Sequence, residues 1–167
     1  TNSQSGCDII GGRRLSNIYD GSLSNASIYL SEELNLNKKL KSIIGLRSQH
    51  YQQYYTGQNQ AGDKYSNKLV LKDIGVFPSL NVIYDISNKS KLRFSLSKTT
   101  ARPSFKEKSL ATIYDGISSI TFNGNIDLEV TNINNFDFRY ELYLEKNQTV
   151  SFSLFYKKLN NPIEISS

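Results

Sequence analysis

"LRFSLSKTTARPSFKE", residues 92–107, holds the beginning and the end of a strand in one line. Leu92, Phe94 and Leu96 alternate with Arg93, Ser95 and Ser97, the period-two pattern of a strand with one apolar face. The alternation stops at Arg102-Pro103, because a proline cannot donate to a ladder. About twenty-five mostly polar residues then pass before the next strand pattern, a length unusual in a compact soluble domain and often functional where it occurs.

Outward from this stretch the chain reads as a series of hairpins. Strand patterns run over 23–36, 39–55, 69–87, 91–101, 129–145 and 149–160. The connections "NLNKK" (35–39), "SNKSK" (87–91) and "EKNQT" (145–149) are short and rich in residues that tight turns accept. Between them lie two long ones, "TGQNQAGDKYSNK" (56–68) and 102–128. Strict alternation puts every short turn at one end of the sheet and every long loop at the other, the asymmetry of an outer-membrane barrel.

The apolar positions carry a second signal. Leu80, Val82, Tyr84 and Ile86 share a face, as do Phe138, Tyr140, Leu142 and Leu144, and Val150, Phe152, Leu154 and Tyr156. On 39–55 the band of Leu40, Ile44 and Leu46 gives way to Ser48, His50 and Gln52 on the same parity. A sandwich strand stays apolar along its whole core face, whereas a strand that leaves lipid for water changes in this way. The pattern therefore predicts an all-β, antiparallel up-and-down transmembrane β-barrel, with about six to seven strands in this chain. Leu80, Val82, Leu92, Phe94, Leu96, Leu142, Leu144, Phe152 and Leu154 are expected to face lipid. Two positions fit badly: Glu32 falls on the apolar parity, which implies a bulge or a misplaced strand there, and Pro78 falls inside a strand, where a bulge is expected.

Composition narrows the function. The 167 residues suit one domain, and with 38% apolar content, eleven Tyr, no Trp and no Met they favour strands and turns. No apolar run reaches the length of a transmembrane helix. The net charge of +5 is spread along strands and turns, so no nucleic-acid partner is expected. Cys7 is alone, which excludes an internal disulfide and a two-cysteine zinc site. His50, the one histidine, sits on the membrane parity, away from any triad. "GGRR" (11–14) and "DGISSITFNGN" (115–125) lack the Lys-Ser/Thr ending of a phosphate loop. No enzyme activity, metal or cofactor is expected.

"FPSLNVIYDIS" (77–87), "LRFSLSKTTARPSF" (92–105), "GNIDL" (124–128), "NNFDFRYELYL" (134–144) and "SFSLFYKKLNNPIE" (151–164) follow one another in order. Together they resemble the barrel of TonB-dependent outer-membrane receptors, particularly the Bacteroidetes form; over 17–55 the likeness is weaker. Ile126 departs from the family's usual Gly-Asn-Pro-Asp-Leu turn. The resemblance implies a barrel of about 22 strands with a plugged lumen, of which 1–167 would be one part, lacking plug and terminal strands. It further implies location in the bacterial outer membrane and import of a scarce ligand such as an iron chelate, cofactor or oligosaccharide. The implied partners are outer-membrane lipid, the rest of the barrel and its plug, TonB through the missing plug region, and a surface lipoprotein.

On the parity opposite the apolar band lie Arg47, Gln49, Tyr51, Arg93, Arg139, Glu141 and Tyr143. In a barrel these face the lumen, where they bind ligand or pair with the plug and one another. "HYQQYY" (50–55) reads as an aromatic girdle and strand extension. Arg102, Tyr114, Asp115 and Asn123 are the loop candidates for ligand contact, since rigid scaffolds carry binding residues on loops. Two rival readings are a soluble β-sandwich binding module and a small anchoring barrel closed on about eight strands.

Overall fold

Asn37 turns the chain between the first two strands. Its side-chain oxygen accepts hydrogen bonds from the backbone N–H of Lys39 and of Leu40, at 2.8 and 2.9 Å. Local bonds of this kind let Asn replace ladder pairing with a turn. In the computed structural model, which describes residues 18–115, 120–145 and 148–164, this turn joins β1 (Tyr19–Asn35) to β2 (Leu40–Gln58). There follow β3 (Lys64–Ser87), β4 (Ser90–Ala101), the single helical turn α1 (Phe105–Lys108), β5 (Thr112–Asp115), β6 (Ile120–Asn123), β7 (Thr131–Tyr143) and β8 (Thr149–Asn160).

Six strands form one antiparallel meander, in the order β1-β2-β3-β4-β7-β8, and β5 and β6 pair in a separate hairpin. Among the described residues the sheet does not close: β1 and β8 are its edges. No helix is long and apolar enough to cross a membrane, which says nothing of crossing by strands.

The register keeps one parity across the meander up to the Gln53–Leu71 pair, beyond which a shift sets Tyr54 opposite Leu69. Leu30 pairs with Leu46, Leu80 with Leu96, Phe94 with Phe138 and Phe138 with Leu154. Cross-strand partners share a face, so below that shift the even-numbered residues of the meander line one surface. The expected apolar set Leu80, Val82, Leu92, Phe94, Leu96, Leu142, Phe152 and Leu154 lies on it, with Leu144 just past the end of β7. The odd-numbered face is mostly polar, with Ile43, Leu71, Phe77, Ile83 and Phe155 among the exceptions. Burial is inverted relative to a water-soluble sheet. Tyr51, Tyr55, Leu71 and Phe77, all on the odd face, are buried, while Leu30, Leu46, Val76 and Leu154 on the even face are exposed. No second sheet covers the even face among the described residues, which removes the sandwich reading.

The apolar band has the height of a bilayer. On β3 the band runs from Tyr84, paired with Leu40, to Ile74, paired with His50, a rise of about 34 Å at roughly 3.4 Å per residue. A tilt of about 40° projects this to roughly 26 Å, against an apolar belt of about 25 Å in outer-membrane barrels. Above it β2 and β3 continue together with Lys72, Gln52 and Tyr54 on the even face.

Three expectations are corrected. Residues 56–68 are not a long loop, because β2 and β3 extend to Gln58 and Lys64 and leave Asn59–Asp63 as the turn. Neither Glu32 nor Pro78 makes a bulge. Glu32 pairs in register with Ile44 on the edge strand β1. Pro78 pairs with Leu46, and its other flank is where the β4 ladder has already ended, at Ser79–Ser97. The register shifts fall instead between Gln53 and Tyr54, between Tyr55 and Gly57, and between Asp85 and Ser87.

Candidate functional site

Two clusters occupy the polar face. The lower one is built on Glu141, in β7. Its Oε2 accepts from Arg93 Nε at 3.0 Å, across the ladder in β4, and from the Tyr143 hydroxyl at 2.9 Å. Its Oε1 lies 3.0 Å from Arg139 Nε. Residues 139, 141 and 143 share one face of β7, and Arg93 is the direct partner of Arg139, so period-two geometry assembles the group. Glu141 is buried and both arginines are about half exposed. One carboxylate shared by two guanidinium groups leaves a net positive charge on this part of the wall. Beside it runs a shallow groove whose lining includes Ile43, Asn81, Ser95 and Asp137.

The upper cluster joins loop to sheet. Arg102, the first residue after β4, donates from Nε and Nη2 to Asp73 Oδ2 at 3.2 and 2.7 Å. Its Nη2 also donates to Gln49 Oε1 at 3.2 Å. The guanidinium carbon stands 4.5 Å from the centre of the Tyr51 ring, within cation–π range. Gln49 Nε2 donates in turn to Asn25 Oδ1 at 2.6 Å. Asn25, Tyr51 and Asp73 are cross-strand neighbours on β1, β2 and β3. Above the end of β4 the loop residue Arg102 reaches them in place of a paired strand.

The loop has its own frame. Ser104 caps α1: its hydroxyl accepts from the Glu107 N–H, and the Glu107 carboxylate accepts from the Ser104 N–H at 2.7 Å. "SFKE" is a capping box, a signal in the sequence for a helical turn that the strand reading passed over. The Gly124-Asn125 step packs on the end of this turn. A Cβ at Gly124 would lie 2.8 Å from the carbonyl oxygens of Lys106 and Glu107, so only glycine fits there without a shift. Asn125 N–H donates to the Glu107 carbonyl at 2.7 Å, and the Lys108 ammonium donates to the Leu128 carbonyl at 2.6 Å. "GNIDL" is therefore the clamp of the loop, and Ile126 leaves these contacts intact. Phe105 lies over Gly21 of β1, whose hydrogen leaves the space its ring fills.

The remaining candidates separate. Arg47 is exposed on the odd face, its guanidinium carbon 5.1 Å from the Phe77 ring centre. Asn123 is exposed at the end of β6, opposite Thr112, away from both clusters. Tyr114 and Asp115 pair with Thr121 and Ile120 in the hairpin, and their side chains lie outside the described residues. The girdle reading of 50–55 is corrected for Tyr51 and Tyr55, which are buried on the odd face. Tyr55 stacks on Tyr19 at 5.9 Å. Sequence reasoning missed Asp73 and Asn25, because their partners lie far along the chain and become neighbours only through the register.

Residues 1–167 match the family model described as TonB dependent receptor-like, beta-barrel. No curated protein matches the chain. The family description names a barrel and no lineage, so the Bacteroidetes likeness rests on the five phrases alone. The chain belongs to the TonB-dependent receptor β-barrel family, a family of outer-membrane receptors and transporters.

Proposed function

We propose that this member of the TonB-dependent receptor barrel family forms, over 1–167, one part of a receptor wall in the bacterial outer membrane. Its even face meets lipid and its odd face lines the lumen. The end of the sheet that holds the turns at 36–39 and 88–89 points to the periplasm, and the end that holds the turn at 59–63 and the residues following Ala101 points outward. The parent receptor imports a scarce ligand, an iron chelate, cofactor or oligosaccharide, with energy delivered through TonB. It carries out no bond chemistry. The plug, TonB and a surface lipoprotein are its protein partners.

The observation that carries this reading is the common parity of six paired strands through the apolar band: apolar and uncovered on one face, charged and networked on the other. An apolar surface of that extent is stable only against another apolar phase. Single cysteines at Leu154 and Ser153, adjacent on β8, test it in the assembled receptor on Cys7→Ser background. A water-soluble maleimide should modify the Ser153→Cys thiol and spare the Leu154→Cys thiol. Equal modification of both would refute the division into lipid and lumen faces.

A further inference from the structure

Arg102 fills a site that is complete without it. Asp73 supplies a carboxylate oxygen, Gln49 an amide oxygen, and Tyr51 an aromatic face. The three residues stand on β2 and β3 and share one sheet face. Asn25 fixes the Gln49 amide so that its oxygen points toward the guanidinium. A carboxylate, an amide oxygen and a ring face converging on one planar cation make a recognition site for guanidinium, whose charge, donors and flat faces each find a partner. The occupant comes from a loop with a frame of its own, between α1 and Gly124–Leu128, which also rests on the sheet where Phe105 lies over Gly21.

The surroundings favour exchange over a permanent bond. Arg102 and Asp73 are each 15% exposed, so water and a competing cation can reach the pair. Next along the same face of β2, the Gln53 side-chain oxygen is buried with no hydrogen-bond partner among the described residues. An unpaired buried polar atom is costly, and a ligand that displaces the loop here would supply its missing partner.

We propose that Asp73, Gln49 and Tyr51 form a binding site for a guanidinium-bearing ligand, and that Arg102 is its internal occupant, released with the start of the 102–130 loop when the ligand enters. The assignment rests on the reading that the odd face lines the lumen, since only then does the site meet an entering solute. A tethered occupant competes at an effective concentration in the millimolar range or above. An occupied site means that this concentration exceeds the intrinsic dissociation constant. Removing the tether therefore raises the apparent affinity for a free cation by about the same ratio, tenfold or more for a well-populated latch.

The test titrates methylguanidinium into the full chain, assembled in its barrel and held in detergent, by calorimetry, with sodium chloride at equal ionic strength as control. Arg102→Ala should bind at least about tenfold more tightly than the unaltered protein. Arg102→Ala combined with Asp73→Asn should lose that gain. In the unaltered protein, saturating methylguanidinium should speed hydrogen exchange at 102–104. If Arg102→Ala does not assemble, Arg102→Lys gives the same comparison, since a point charge cannot both stack on Tyr51 and reach both oxygens. Equal affinity with and without Arg102, or a gain that survives Asp73→Asn, would overturn the proposal. Detergent covers the apolar face and leaves both mouths of the barrel open to solute, so a failure here is independent of the maleimide result at Ser153 and Leu154, which tests the lumen assignment alone.

Discussion

Lys108 shows how one side chain can hold a loop while resisting its own charge. It is buried, and its ammonium donates to the Leu128 carbonyl at 2.6 Å. Burial pulls its pKa below the ordinary lysine value, against the weaker upward influence of Asp127 and Glu129. The folded loop thus holds this proton less tightly than the unfolded chain. The unfolded state binds more protons, and stability rises with pH across the window that ends at the ordinary lysine pKa. Lys108→Met removes the titrating group and keeps the length of the stem. Thermal unfolding of both proteins in detergent, from pH 7 upward, checks the sign. The unaltered protein should gain on Lys108→Met as the pH rises, and a constant or shrinking difference would count against a buried, depressed ammonium. Glu141 makes the opposite case, a buried acid that satisfies three donors at once and holds two arginines against the wall.

At the scale of elements, what could be read in the sequence was whatever leaves a mark with period two. Phe138, Tyr140 and Leu142 announce both a strand and its outward face, and the structure pairs them as the alternation requires. The upper halves of β2 and β3 leave no such mark. Once both faces meet water or loop, "TGQNQAGDKYSNK" can be strand as readily as loop, because ladder hydrogen bonds do not depend on side-chain polarity. Pro78 misled for a related reason: whether its missing donor matters depends on where the neighbouring β4 ladder ends, and that is a property of two strands. The Arg102 site was legible only as a list of polar residues, since Asp73 is brought to it by register and loop path. The "GNIDL" clamp, by contrast, has a local cause in the close approach of Gly124 to the carbonyls of Lys106 and Glu107. Gly124→Ala should push the two segments apart, break the Asn125–Glu107 bond and cost about 1–3 kcal/mol, the usual scale of overpacking. Faster limited proteolysis between 102 and 130, with β-sheet circular dichroism unchanged, is the expected result. Unaltered proteolysis would mean that the clamp does not hold the loop.

For the whole molecule, the inverted burial decides what the sheet needs around it. Its even face exposes Ile28, Leu30, Ile44, Leu46, Ile74, Val76, Phe152 and Leu154, and its two edges leave backbone groups of β1 and β8 unpaired. Neighbouring strands of a closed barrel satisfy the edges, and lipid satisfies the face. A charge introduced on that face then carries a penalty set by depth, while a charge on the other face does not. Leu154 pairs with Phe138, which pairs with Phe94, in the middle of the apolar band. Leu154→Arg should therefore cost about 2–4 kcal/mol in the assembled receptor, the range for arginine near the bilayer midplane. Ser153→Arg, one residue away, projects to the side of Arg139, where like charge costs far less in water, about 1 kcal/mol or below. Reversible denaturant unfolding in lipid vesicles measures both. If the two substitutions cost the same, the even face does not meet lipid, and the barrel geometry inferred from parity fails with it.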